Sequence, residues 1–148
     1  EEMRYTLLSM EENDKWRPIR QACLQRNAEM LEVMMRLITV EMRYKLLQLL
    51  DVYGDTPLHL SALLDHTQCI TVIADSVRSQ QLIHLLRITD NARTTPLQLA
   101  AEYNNQAVVE LLLRYQTKAL IDVALQQREQ SGNYSILLMS LMTSLDYR

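Results

Sequence analysis

The stretch Asp51-Val52-Tyr53-Gly54-Asp55-Thr56-Pro57-Leu58-His59-Leu60-Ser61-Ala62 decides the fold. Its second half, Thr56 to Ala62, returns as Thr95-Pro96-Leu97-Gln98-Leu99-Ala100-Ala101, and 95 − 56 = 39 gives a period. One step back from Pro57 lies Pro18, within Trp16-Arg17-Pro18-Ile19-Arg20-Gln21-Ala22-Cys23. One step on from Pro96 lies Ser135, within Tyr134-Ser135-Ile136-Leu137-Leu138-Met139-Ser140. Glu2-Met3-Arg4-Tyr5 reappears at the same offset as Glu41-Met42-Arg43-Tyr44, and the pairs Leu7-Leu8, Leu46-Leu47 and Leu85-Leu86 follow suit. An acidic residue fills one column throughout: Glu12, Asp51, Asp90 and Glu129. No insertion or deletion interrupts the register. A fixed period of this length is the signature of stacked structural repeats.

Each period reads as helices. Pro18, Pro57 and Pro96 follow a polar turn and open an apolar pattern, where the fixed φ of proline suits a first helical turn. Thr56 and Thr95 precede them as N-caps, accepting a backbone N–H. A first helix of about nine residues ends at Arg26-Asn27, Asp65-His66 and Asn104-Asn105, where Asn and Asp tolerate the left-handed conformation that closes a helix. A second helix carries Met30, Leu31, Met34 and Met35, then Cys69, Ile70, Ile73 and Ala74, then Val108, Val109, Leu112 and Leu113, a helical spacing. The segments Glu41 to Leu50 and Gln80 to Ile88 hold their own apolar pattern, which predicts a third, short helix.

Composition agrees. Apolar residues make up 48% of the 148, enough for a packed core rather than a disordered chain. Two glycines and three prolines leave little material for the tight turns of an all-β fold. The formal charge is −3 with the basic residues scattered, so no basic stripe is available to neutralise phosphates and no nucleic-acid partner is expected. No apolar run is long enough to span a bilayer, so no membrane insertion is expected. Cys23 and Cys69 fall inside apolar helical patterns and read as buried small hydrophobes in a reducing compartment.

The turn and helix from Asp51 to Ala62, of the form Asp-x-x-Gly-x-Thr-Pro-Leu-His-Leu-Ser-Ala, resemble the ankyrin repeat. The copy from Asp90 to Ala101 is similar, and Ala107-Val108-Val109-Glu110-Leu111-Leu112-Leu113 looks like the ankyrin second helix. The ankyrin period is about 33 residues, whereas here a third helix takes the place of the Gly-rich hairpin segment. Lys15 and Arg93 stand where the turn glycine would be. The expected fold is all-α, an ankyrin-like helical solenoid with an extra short helix per repeat. Residues 1–148 form a single domain in this reading. The end of a preceding repeat occupies 1–11, repeats follow at 12–50, 51–89 and 90–128, and a partial or capping repeat closes the chain at 129–148. The apolar segment Ile136 to Met142 fits either a piece of a longer array or a degenerate cap, and leaves self-association through the C-terminal repeat open.

Little in the sequence suits catalysis. His59 falls where ankyrin repeats carry a structural histidine that bonds around the Thr-Pro turn, and His66 and His84 show no metal-ligand spacing with it or with the cysteines. The acidic column would place equivalents roughly 10 Å apart on successive layers, which suits turn formation and not paired acid–base work. No glycine-rich phosphate loop or nucleophile elbow occurs, so no enzyme activity, metal or cofactor is expected. What the resemblance implies is a protein-interaction module whose concave face meets a partner protein. The alternative is a structural spacer within a larger protein. Carried over position by position, the concave columns hold Asn13, Asp14, Trp16, Leu24 and Gln25, then Val52, Tyr53, Asp55, Leu63 and Leu64, then Asn91, Ala92, Thr94, Glu102 and Tyr103. Trp16, Tyr53 and Tyr103 are the residue types that anchor interfaces. Leu63 and Leu64 either add an apolar patch or pack on a neighbouring repeat. The resemblance further implies cytoplasmic residence and a scaffold role.

Overall fold

Residues 17–51 and 53–131 are described by the structure, a computed structural model. Eight helices occur among them: α1 (Arg17–Leu24), α2 (Ala28–Arg36), α3 (Val40–Leu47), α4 (Pro57–Leu63), α5 (Thr67–Asp75), α6 (Ser79–Arg87), α7 (Pro96–Glu102) and α8 (Gln106–Ser131). No strand occurs among the described residues. The helices form three layers, namely α1–α3, α4–α6, and α7 with α8. Helices α1, α4 and α7 lie side by side as an inner row, and α2, α5 and the start of α8 stack as an outer row. The chain is thus the all-α helical stack that its period predicts.

Local chemistry sets each layer. Thr56 Oγ1 accepts from His59 N at 3.2 Å and Thr95 Oγ1 accepts from Gln98 N at 3.2 Å, with Pro57 and Pro96 just inside the helices. The N-cap amides are satisfied in return, Thr56 N by His59 Nδ1 and Thr95 N by Gln98 Oε1, so each start is a reciprocal capping box. The inner helices end in left-handed residues, Arg26, Asp65 and Asn104, with φ of 58°, 60° and 58°. These are the break positions read from the sequence. A continuous core runs through the stack, built on Ile19, Leu31, Leu46, Leu58, Ile70, Leu85 and Leu112, all with under 2% exposure. Sharing one core between layers is what lets helices as short as seven residues persist.

Two expectations need correcting. A separate third helix exists in the first two layers as α3 and α6, but the third layer runs its second and third helices together as the 26-residue α8. The breaks elsewhere hold β-branched Ile38 and Val77, whereas the equivalent position in α8 is Gln116, a better helix former. The earlier breaks also have a cation to receive their loose carbonyls: Arg43 Nε donates to Met35 O at 2.6 Å and its Nη1 to Ser76 O at 3.4 Å. One period later that arginine is Leu82, which cannot donate, and continuing the helix satisfies the carbonyls internally. Met30, expected in the core, is 47% exposed. Its equivalents Cys69 and Val108 are buried because each sits against the layer before it, whereas Met30 belongs to the first described layer.

Candidate functional site

The turn before each inner helix is built by its aspartate. Asp51 Oδ1 accepts from Tyr53 N and Asp55 N, both at 2.9 Å, and Asp90 Oδ1 accepts from Ala92 N and Thr94 N at the same distance. The acidic column is therefore a column of turn formers at Asp51 and Asp90, while Glu12 and Glu129 lie outside the described residues. Gly54 and Arg93 take left-handed conformations, φ 78° and 62°, so arginine fills a position that favours glycine. Successive tips are stitched together by Asn91 N donating to Tyr53 O at 3.1 Å.

On this frame Tyr53 stands 66% exposed and Tyr103 58% exposed. Asn91 and Glu102 are exposed, and Asp55 and Thr94 are half-buried. Leu24, Leu63 and Glu102 share one column at the ends of the inner helices, and Gln25, Leu64 and Tyr103 share the next. Leu63 is half-buried, so part of it packs within the stack, and Leu64 is 37% exposed. Asn13, Asp14, Trp16 and Val52, the other expected concave residues, lie outside the described residues.

Electrostatics brings together a group that the sequence columns separate. Ligating atoms of Asp55, His59 and Asp90 all lie within 4.8 Å of one another. Comparing like with like places acidic residues a full layer apart, but Asp55 comes from a different column and reaches the turn aspartate of the next layer. Burial, then the nearby Asp51 and Asp90 carboxylates, raises the Asp55 pKa to about 6. His59 does not act as a free ligand here. Its Nδ1 lies 2.9 Å from Thr56 Oγ1, and its Nε2 donates to Thr94 O at 2.9 Å, so both ring nitrogens are engaged. Burial lowers its pKa, which keeps the ring neutral and the Nε2–H pointed at the next turn. One layer earlier, Arg20 fills the same column and places Nε 3.8 Å from Asp51 Oδ2, on a carboxylate only 2% exposed. His59 is thus the structural histidine that the resemblance implies, a tie between layers.

Similar ties close the back of the inner row. Asn105 Nδ2 donates to Ala62 O at 2.8 Å and Leu63 O at 3.2 Å, and His66 Nδ1 meets Cys23 O at 2.6 Å. Both reach the C-terminal carbonyls of the preceding inner helix, groups that a helix leaves unbonded. A family model described as ankyrin repeats (3 copies) matches residues 21–127.

The chain belongs to the ankyrin-repeat family. No curated protein matches it. Ankyrin repeats generally serve as protein–protein interaction modules and are typically non-enzymatic. Among the described residues no helix is long and apolar enough to cross a membrane. Within this ankyrin stack the structure gathers Tyr53, Asp55, Asn91 and Thr94 at the hairpin tips and sets Leu63, Leu64, Glu102 and Tyr103 at the inner-helix ends. The sequence columns missed two features of the stack. One is the approach of Asp55 to Asp90. The other is the edge pairing of Tyr44 with His84, whose rings meet at 5.7 Å with the tyrosine hydroxyl on Nδ1. Both join residues that are not equivalent by period, so a search for repeats could not reveal them.

Proposed function

We propose that this ankyrin stack binds a segment of a partner protein along its concave face, across the hairpin tips and the exposed side of the inner helices. The exposure of Tyr53 and Tyr103 carries this reading. Two aromatic rings left in water on successive layers, with the exposed Leu24 and Leu64 nearby in sequence columns, form the kind of surface from which interface anchors are drawn. The reading extends the row to Asn91 at the tips, and also takes in Asn13, Asp14, Trp16 and Val52, which lie outside the described residues. Asp55 and Asp90 form no salt bridge among the described residues, so a basic side chain of the partner is favoured beside them. The reading retains repeats at 12–50, 51–89 and 90–128 within one domain. It places the chain in the cytoplasm, as the two buried free cysteines support.

A Trp16→Ala, Tyr53→Ala, Tyr103→Ala variant tests it. The far-ultraviolet circular dichroism of parent and variant is compared first, and Tyr53 and Tyr103, which lie outside the core, should leave it unchanged. A partner captured from cell extract by the parent and lost by the variant supports the concave face. Equal capture by both sinks the assignment and favours a spacer within a larger protein.

A further inference from the structure

Three side chains of α3 cross the seam to the second layer. Arg43 donates Nη1 to Ser76 O at 3.4 Å, while its Nε holds Met35 O at 2.6 Å in its own layer. The Tyr44 hydroxyl meets His84 Nδ1, and Arg78 Nη2 donates to Glu41 Oε1 at 3.3 Å. Ser76 is the C-cap of α5 and Arg78 the N-cap of α6, so Arg43 and Glu41 both grip the break between those helices. One period later the same columns of α6 hold Gln80, Leu82 and Ile83, which carry no charge. The layer ahead of α6 has no break, because α8 runs straight through. The charged set thus goes with a broken layer ahead, and the uncharged set with a continuous one.

One period before α3 the sequence reads Glu2-Met3-Arg4-Tyr5, the same four residues as Glu41-Met42-Arg43-Tyr44. The layer ahead of them is the first, which is broken between α2 and α3. Carried back one period, Ser76 becomes Leu37, the C-cap of α2, and Arg78 becomes Thr39, the N-cap of α3. Leu37 is 46% exposed where Ser76 is 7% exposed, so the first break stands open on the side where the second is covered. We propose that Glu2 to Leu8, which lie outside the described residues, seat on the first layer as α3 seats on the second, with the Arg4 guanidinium donating to Leu37 O. The acceptor is a backbone carbonyl at a helix end, so the change from Ser to Leu leaves it in place. Tyr5 then comes to Lys45, in the column of His84, with its hydroxyl oxygen accepting from the ammonium. Glu2 accepts from the Thr39 hydroxyl, whose oxygen already caps Met42 N. Leu7 and Leu8 fall in the column of Leu46-Leu47 and Leu85-Leu86, which are buried in both layers, and supply the apolar contact. The stretch from Leu8 to Pro18 equals in length that from Leu47 to Pro57, so the tether permits the same placement. That short tether also favours this chain's own segment over the same segment of a second copy.

The test irradiates the 148-residue chain carrying the photo-crosslinking substitution Tyr5→p-benzoylphenylalanine, and mass spectrometry of digests locates the links. The expected link lies within one chain and joins position 5 to Lys45 or its neighbours on α3. Hydrogen exchange supplies a second readout that does not depend on the crosslinker. The amides of Leu37 and Ile38 bond to Val33 O and Met35 O at the end of α2. In Arg4→Leu they should exchange roughly tenfold faster, as the loss of a charged hydrogen bond implies. Arg4→Lys, which keeps a cationic donor, should restore part of that protection, and amides of α8 should be unaffected by either change. Links between chains, links away from α2 and α3, or exchange at Leu37 and Ile38 unchanged in Arg4→Leu would each overturn the proposal.

Discussion

Replacing Gly54 with alanine probes the joint between the second and third layers, and the structure supplies the magnitude. Gly54 has φ +78°, where an L side chain costs roughly 1–2 kcal/mol. A Cβ built there would sit 2.6 Å from Asn91 Oδ1 and 2.8 Å from Asn91 N, and the second of these is backbone. The tip of the third-layer turn must then withdraw, and the bond from Asn91 N to Tyr53 O at 3.1 Å goes with it. Losing that bond adds about 1 kcal/mol, for a total of about 2–3 kcal/mol. Arg93 provides the internal control, since it fills the same turn position one period later with φ 62°. Arg93→Gly relieves strain of about 1–2 kcal/mol but loosens the unfolded chain by about 0.4–1 kcal/mol, so it should range from neutral to a gain of about 1.6 kcal/mol, opposite in direction to the loss at Gly54. Urea unfolding followed by far-ultraviolet circular dichroism compares the two at constant slope. A loss in Gly54→Ala below about 0.5 kcal/mol, the range of an ordinary surface change, would refute the claim that the stacked turns stabilise the joint.

Asp55→Asn should stabilise the protein above pH 6 and have progressively less effect below it. The folded-state pKa of Asp55, about 6, lies above its ordinary 3.8, so its contribution is fully present below about 3.8 and lost as the pH rises through 6. Melting midpoints of parent and variant across this window check the sign, and a gain independent of pH would count against the carboxylate cluster. His59→Gln keeps a capping box of the kind Gln98 makes but loses the bond to Thr94 O, and should cost about 1 kcal/mol at pH 7.5. The cost should shrink on acidification, because the neutral imidazole stabilises the parent only above the range in which the ring is protonated in the unfolded chain. A deficit that grows towards pH 5 would argue against a buried neutral ring. Arg43→Leu should destabilise by about 1.5–3 kcal/mol, since one guanidinium serves the carbonyls of Met35 and Ser76. Urea unfolding reads this too, and an unchanged midpoint would show that Arg43 does not sustain the break between α5 and α6.

The legible parts of the fold are those in which cause and effect lie within a few residues. Thr56-Pro57 and Thr95-Pro96 start helices by capping and fixed φ, and Asp51 and Asp90 fold their own turns, so each could be read from one copy and checked against the next. The helical period likewise placed Ile70, Ile73 and Leu112 in the core. The fusion of α8 was hidden because its cause lies one layer away, in Leu82 standing where Arg43 would have served the break. Met30 was misplaced for a related reason: a helical pattern marks an apolar face but does not say which neighbour covers it.

The candidate site was legible in part, and the division has a physical basis. Exposure of Tyr53 and Tyr103 follows from their place at a turn tip and a helix end, which the columns specify. Contacts across a seam do not follow, because stacking sets each layer against a different column of the next. Asp55 meets Asp90 and Tyr44 meets His84, and neither pair is separated by one period. A perfect repeat would place the same pair at every seam and make it visible in the columns. Here Ile83 stands one period after Tyr44, and Gln98 replaces His59. The contacts peculiar to one seam of this ankyrin stack therefore lie where the copies diverge, while the residues they share hold the layers in register.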